Sequence, residues 1–519
     1  MTRSVELIFP KKQLQICCLS LLLILAFVFL TGCAVKSSDL LTNNLGNSTA
    51  KSNSGIALTN DGSVQLRIGD DPATSDGRIV ALRLDITSMK LRNSSTSEAI
   101  DFLVDPISVE LTHLSTITIP IAESGANPNT VYDRLDITSS VSGISYMDMP
   151  STTIYNEELG ALPLQTVDLS TAPVTLGSEP IVINVSVNVP SMVTLPPVGA
   201  IALSSRPATR TAYSLRTARP MASGGLLSGS PLITVTQSQI LNNQPQSGQI
   251  QHLVGPVTKV VGNAITIKPT GNSSFTFQTD LGTYFQDVTL ATAVGATVEV
   301  SGATQSDGSL YASEVELVDV ANGVELQGLV TSSYPDLELS LVVQEGIGVG
   351  MGTSLVGKIV TSQLDQASYV INIGNTDMTG VTAVFDGEHI FPGQQVEVES
   401  LIALQTDPAG SSGLTTPYMV ELEQQTISGN AANYAVGGRS GTGTFDLMLP
   451  LDGSSPIANL NPGLTSVHVL QQTTTFPSLS SLKSNAKVQV RGLLLCQNDH
   501  ANQSCSDFVM VAAKITVND

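Results

Sequence analysis

The chain has 519 residues, with 44 Asp and Glu against 23 Lys and Arg, and a formal net charge of −21. A surface of that sign repels nucleic acid and anionic headgroups, whose binding needs clustered Lys and Arg, so the composition predicts no nucleic-acid partner. Only 13% of residues are charged and Trp is absent, while Ser, Thr, Val, Gly and Asn recur; this is the profile of an exported β-protein with polar faces built from hydroxyls and amides. The length prior gives about three or four domains, enough for real cores.

In chain order, Arg3, Lys11 and Lys12 form a basic region ahead of the apolar run 16–30 (ICCLSLLLILAFVFL). That run is too short and wrongly flanked for a membrane-spanning helix and fits an export signal. It closes on Leu30-Thr31-Gly32-Cys33, a small-residue cleavage site ending in cysteine. This stretch resembles the lipobox of bacterial lipoproteins, in which the Cys thiol is diacylglycerated, the signal is cut before it and the new N-terminus is acylated. The resemblance implies a signal peptide over 1–32 and a lipid anchor on Cys33. Each buried methylene contributes about 0.8 kcal/mol, so several acyl chains make such an anchor effectively permanent. Ala34 after the cysteine fits sorting to the outer membrane, with the periplasmic or exterior face left open. The plainer alternative is an ordinary cleaved signal that ends at Cys.

Residues 33–60 lack sustained periodicity, are rich in Ser, Asn and Thr, and read as a flexible tether. Its root-mean-square reach is about 30 Å. From 61 to 190 the pattern is β: Val64–Ile68 alternates, the turn GDDPATSDG follows, and Ile79–Ile86 alternates again. Further strands are expected at Ile107–Leu111, Ser115–Ile121, Tyr132–Thr138, Gly143–Met147 and Ile181–Val189. Short strands at this spacing predict a two-sheet sandwich. The strand ending LDITSMKLRN, the segment VELTHLST and the strand VYDRLDITSS make this region similar to domain of unknown function 4382, found in bacterial envelope lipoproteins. The resemblance implies an all-β lipoprotein domain and supplies no catalytic residue.

Residues 191–253 shift to Pro, Ser and Gly and hold Arg206, Arg210, Arg216 and Arg219. They read as a linker whose arginines oppose a negative surface, with an anion-docking strip as the functional alternative. The C-terminal half then repeats. Val294–Gly302 (VGATVEVSG), Pro392–Ser400 (PGQQVEVES) and Ser484–Gly492 (SNAKVQVRG) align, and each precedes an aromatic-led strand beginning at Tyr311, Tyr418 or Phe508. Val-x-Val alternation buries both valines and turns Glu, Gln or Lys outward. Three small β-barrels are predicted, at 254–321, 322–427 and a divergent 428–519. On GPVTKVVGNAITIKP, GATVEVSGATQSDGSLYASEVEL, LQGLVTSS and FDGEHIFPGQQVEVES, the first two copies resemble domain of unknown function 5666.

Cys17 and Cys18 leave with the signal and Cys33 takes lipid, which leaves Cys496 and Cys505. An even pair in an oxidising compartment reads as a disulfide across the excursion QNDHANQS. A metal pair is the rival, but no second pair of soft ligands lies nearby and His500 alone is insufficient. His113, His252, His389 and His468 are scattered without metal spacing. Gly352–Lys358 (GTSLVGK) comes close to a phosphate-binding loop, yet Ile359 stands where a hydroxyl residue would reach magnesium, so no nucleotide is expected. Ser440 in GRSG lacks the spacing and strand-to-helix turn of a nucleophile elbow.

Acidic turns are the surviving site candidates. Asp70, Asp71 and Asp76 crowd one turn, and Asp307 with Glu314 and Glu316 flank another; clustered carboxylates could hold Ca2+, the one cofactor in view. The alternative is that these turns are simply solvated. The expectation for function is an all-β, lipid-anchored envelope protein that binds or scaffolds without catalysis, through an envelope protein or a glycan. Two other readings are an envelope-polymer hydrolase with two acidic catalytic residues and an assembly subunit that adds a strand to a partner's sheet.

Overall fold

The computed structural model describes most of residues 63–188, then 233–239 and most of 249–518. The lipidation candidate Cys33, the tether and the four arginines lie outside the described residues. So do Asp71, Asp76, Asp307, His113 and His500.

The N-terminal β-region contains β1 (Ser63–Asp70), β2 (Ile79–Arg92), β3 (Ala99–Asp101), β4 (Ile107–Glu110), β5 (Ile119–Gly125) and β6 (Val131–Tyr132). It continues with β7 (Arg134–Asp148), β8 (Thr153–Glu157), β9 (Gly160–Ala161), β10 (Gln165–Asp168), β11 (Val174–Thr175), β12 (Ile181–Val187) and β13 (Ile233–Gln239). One sheet runs β13-β12-β1-β5; the other has β10-β7-β2-β3 as its spine, with β4 on β2 and both β8 and β9 on β7. Alternate residues Val64, Leu66 and Ile68 meet Leu82, Leu84 and Ile86 in one core, as period two requires.

Two local expectations change. The separate strands expected around 132–138 and 143–147 are one strand, β7. Gly143 pairs with Arg83 beside a register shift rather than breaking the chain, because a glycine inside a long strand marks a bulge as readily as a turn. The stretch read as linker contributes β13, which pairs antiparallel with β12 from Ile233↔Val187 to Gln239↔Ile181. The main-chain bonds of an otherwise free sheet edge outweigh the weak strand signal of ITVTQSQ.

Next come β14 (Gln249–Val261), β15 (Ala264–Ile267), β16 (Phe275–Gln278), β17 (Tyr284–Gln286), β18 (Thr297–Thr304) and β19 (Leu310–Leu317). They form a sheet in the order β16-β15-β14-β18-β19-β17, and the parallel pairing of β16 with β19 closes five of these strands into a ring with β17 at its margin. The following unit contains β20 (Val324–Tyr334), β21 (Glu338–Gly348), β22 (Ile359–Gln363), β23 (Ser368–Ile371), β24 (Gln395–Ser400), β25 (Gln405–Thr406), β26 (Ser412–Thr415) and β27 (Met419–Leu422). Its eight strands run β23-β27-β24-β20-β21-β22-β26-β25. The last unit has β28 (Gln424–Val436), β29 (Gly443–Met448), the short helix α1 (Pro456–Leu460), β30 (Ser466–Gln471), β31 (Lys487–Cys496) and β32 (Phe508–Asn518). It is a closed barrel, β28-β29-β30-β32-β31.

The first and last barrels share one wiring. With the edge strand β17 set aside, the first strand pairs with the second and fourth, the second with the third, the third runs parallel to the fifth, and the fifth pairs back onto the fourth. The middle copy keeps β20 on β21 and β24, but its third strand β22 pairs with β26, so the ring stays open among the described residues. A disulfide joins Cys496, at the end of β31, to Cys505, with Cα atoms 5.9 Å apart.

Neighbouring units are welded rather than strung. Val80, Ala81, Met147 and Ile154 of the sandwich pack with Leu329, Val342 and Ile359 of the middle copy in one apolar cluster. Around it, Ser145 Oγ donates to the Gly357 carbonyl at 2.7 Å and Gln344 Nε2 donates to the Val80 carbonyl at 2.8 Å. On its other side the middle copy shares a core with the last barrel, where Val396 and Leu422 join Leu493, Leu495 and Val511. Asn461 Nδ2, just past α1, donates to the Pro392 carbonyl at 2.7 Å across the same boundary.

Candidate functional site

The alternation that fills each barrel also places its acids. In β18 and β24 the valines Val298, Val300, Val396 and Val398 are fully buried in their barrels. Glu299 and Glu397 point the opposite way, yet are only 9% and 8% exposed. The outer face of one barrel is covered by the next, so "outward" is not solvent; Gln489 at the matching place in the third copy is 1% exposed. Period two predicts which side of a strand a residue takes and carries no information on what lies beyond it.

This arrangement concentrates carboxylates. Glu299 sits directly across from Glu316 in the β18–β19 ladder, and Glu397 directly across from Glu421 in the β24–β27 ladder. Glu399 faces Glu325 on β20. Like charges directly opposite repel and destabilise a sheet unless something neutralises them. One carboxylate oxygen from each of Glu316, Glu399 and Glu421 lies within 4.8 Å of the other two. Glu316 comes from the first barrel; Glu399 and Glu421 come from the middle copy. Glu399 is 7% exposed and Glu421 4%.

Few hydrogen-bond donors reach these oxygens. Gln286 Nε2, paired with Glu316 across β17 and β19, donates to its Oε1 at 2.6 Å. The Tyr418 hydroxyl donates to Glu399 Oε2. Glu399 Oε1 is buried with no hydrogen-bond partner among the described residues. Burial first, then Glu299, Glu421, Glu399 and Glu314, pushes the Glu316 carboxyl up to about 11. Burial is also the main cause raising Glu397 and Glu421, with neighbouring glutamates adding to it. Glu399 rises for the same reason, opposed by its bond from Tyr418. Such a cluster must hold protons or a cation at neutral pH, because unpaired carboxylates in a low-dielectric site cost several kcal/mol each.

Of the candidate acids read from sequence, Glu316 belongs to this cluster, while Glu314 stands opposite Tyr284 in the β17–β19 ladder. The partners of Glu316 come from the next barrel, not from its own turn. Asp70 ends β1, where its backbone pairs with Val187. The near phosphate-binding loop lies at a domain junction: Ile359 opens β22, and the Gly357 carbonyl is the acceptor for Ser145 of the sandwich. His389, in the loop before β24, and His468, on β30, pair through Nδ1 with Asp386 at 2.6 Å and Asp446 at 3.0 Å. Sequence reasoning missed Glu399 and Glu421. The signal available was the repeated acid in VEV and in the following strand, which becomes informative only once the two barrels are packed outer face to outer face.

Residues 254–316 match the family model described as domain of unknown function 5666. No curated protein matches the chain. Among solved structures the chain is similar to the wild-type single-stranded DNA binding protein from Thermus aquaticus, at 15% identity over 38% of this chain and 93% of that one, with a TM-score of 0.15. It is similar also to a deletion mutant of that protein, at 14% identity over 38% and 94%, with a TM-score of 0.14. These neighbours correct the flat exclusion of nucleic acid drawn from composition. Net charge is a sum over the whole chain and does not fix the field of any one face. At these TM-scores the likeness assigns no activity to this chain.

Proposed function

We propose that this is a lipid-anchored protein of the bacterial cell envelope, held through Cys33 at the outer membrane, whose β-domains form a rigid non-enzymatic binding or scaffolding body. The observation that carries the scaffolding reading is the apolar weld of Val80, Ala81, Met147 and Ile154 to Leu329, Val342 and Ile359. Domains on flexible linkers would leave those side chains in water; joined, they hold the sandwich in one orientation to the middle copy. The anchor rests on the signal and lipobox ending at Cys33, and the sandwich's place among lipoprotein domains on its likeness to domain of unknown function 4382.

The alternatives fare less well on physical grounds. Glu399 and Glu421 are too deeply covered to meet a polymer chain. The last barrel, the divergent copy in which free edges would favour strand addition, is a closed ring and offers no edge among the described residues. The test is metabolic labelling with radioactive palmitate in a bacterial host, comparing the wild type with Cys33→Ala. Label in the wild type, absent from the variant, together with outer-membrane fractionation that the variant loses, is the expected result. An unlabelled wild type that is released soluble would overturn the anchor.

A further inference from the structure

We infer that Glu316, Glu399 and Glu421 bind a calcium ion that clamps the first barrel to the middle copy. Three carboxylates from two domains converge within 4.8 Å, the spacing that a shared cation requires. A second observation points to a ligand independently of the clustering: Glu399 is 7% exposed and its Oε1 has no hydrogen-bond partner among the described residues. A buried acceptor left bare is costly, and native structures rarely keep one without an ion or water to meet it.

The donor set selects the ion. All three groups are hard oxygen ligands with no imidazole or thiolate among them, which disfavours zinc. Calcium accepts six to eight oxygens in flexible geometry, so three carboxylates, each binding through one or two oxygens, leave room for waters. Magnesium demands a tighter octahedron and releases its waters reluctantly. The like-charge ladders of Glu299 with Glu316 and of Glu397 with Glu421 then acquire a cause, because a divalent ion turns their repulsion into a favourable field. Tyr418 and Gln286 orient Glu399 and Glu316 from behind, as outer partners of metal ligands do. The inference does not depend on the lipid anchor or on the scaffolding reading.

The experiment uses residues 34–519, all of the chain beyond the proposed lipidated cysteine, stripped with EDTA and titrated with calcium chloride by calorimetry. Terbium replaces calcium in a parallel titration. The chain has no Trp, so terbium emission here is sensitised by tyrosine, and Tyr418 bonds directly to Glu399. One saturable site is expected. Its affinity should fall at least tenfold in Glu399→Gln/Glu421→Gln and stay unchanged in the exposed control Glu98→Gln. Tyr418→Phe removes the hydroxyl that orients Glu399, so it should weaken calcium binding about tenfold or more and dim terbium emission; this variant locates the site even if the double variant fails to fold. Absence of binding at millimolar calcium, or an unchanged affinity in a folded double variant, would overturn the inference. So would Tyr418→Phe leaving both calcium affinity and terbium emission untouched.

Discussion

Replacing Gly492 with alanine should break the last barrel. Gly492 lies on β31 where the register against β32 shifts, and a Cβ there would sit 2.0 Å from the Val511 carbonyl oxygen. Gly302, the aligned residue of the first copy, occupies the same kind of shift, with its Cβ position 1.9 Å from the Tyr311 carbonyl oxygen. A carbon cannot approach an oxygen that closely, so the strands must part by about an ångström at a point where they are closely coiled. Overpacking of this kind costs about 1–3 kcal/mol. Two ladder hydrogen bonds strained at the same place add about 1 kcal/mol each. A total of about 3–5 kcal/mol is a large share of the roughly 5–15 kcal/mol that keeps a domain folded. Hydrogen exchange read by mass spectrometry on peptides spanning β31 and β32 gives a local answer that a multidomain melt would blur. At 1.36 kcal/mol per decade, protection there should fall roughly hundred- to several-thousand-fold. Gly302→Ala should do the same in β18 and β19 and leave the last barrel unchanged. Protection within threefold of wild type in both variants would refute the close-approach argument. Ser400 completes the comparison: it holds the aligned position in the middle copy without a clash, because the β24–β27 ladder carries no register shift and the bulges fall on β20 instead.

Three further outcomes follow from the same geometry. The metal-free protein should lose stability as pH rises above the unfolded glutamate value of 4.5, because Glu316, raised to about 11, keeps its proton when folded and sheds it when unfolded. The groups facing it are Glu299, Glu314, Glu399 and Glu421, all acids, so thermal melting in EDTA should fall between pH 5 and pH 8, and a flat or rising profile would contradict this. Reducing Cys496–Cys505, nine residues apart, should destabilise the last barrel by about 2–3 kcal/mol, read as a lower melting temperature with reductant than without. Gln344→Ala removes donors to the Val80 carbonyl and Thr112 Oγ1 and an acceptor for Gln395, so the sandwich junction should weaken by about 2–3 kcal/mol. Limited proteolysis should then cut between sandwich and middle copy sooner than in the wild type.

Much of the architecture was legible because β-structure writes itself in period two. The alternations at Val64–Ile68 and Ile79–Ile86 became β1 and β2, and the repeated Val-x-Val segments became β18, β24 and β31 with their valines buried. The Cys496–Cys505 bridge followed from counting thiols once the signal was set aside. Each of these depends on local pattern or on arithmetic along the chain, and local pattern survives whatever the rest of the molecule does.

What only the tertiary structure decided is everything that depends on the neighbour across a face. Periodicity gave Glu299, Glu397 and Gln489 an outward side, and packing of one domain on the next made that side an interior. Composition alone leaves ITVTQSQ looking like linker, and the open edge of β12 makes it a strand. Glu316 reads from sequence as part of an acidic turn, while the two carboxylates that gather with it belong to residues some eighty and a hundred positions away in the middle copy. A sequence fixes how a strand alternates because that is set by the geometry of its own backbone. It leaves open which surfaces meet, because that is settled by the summed burial and charge of residues far apart along the chain.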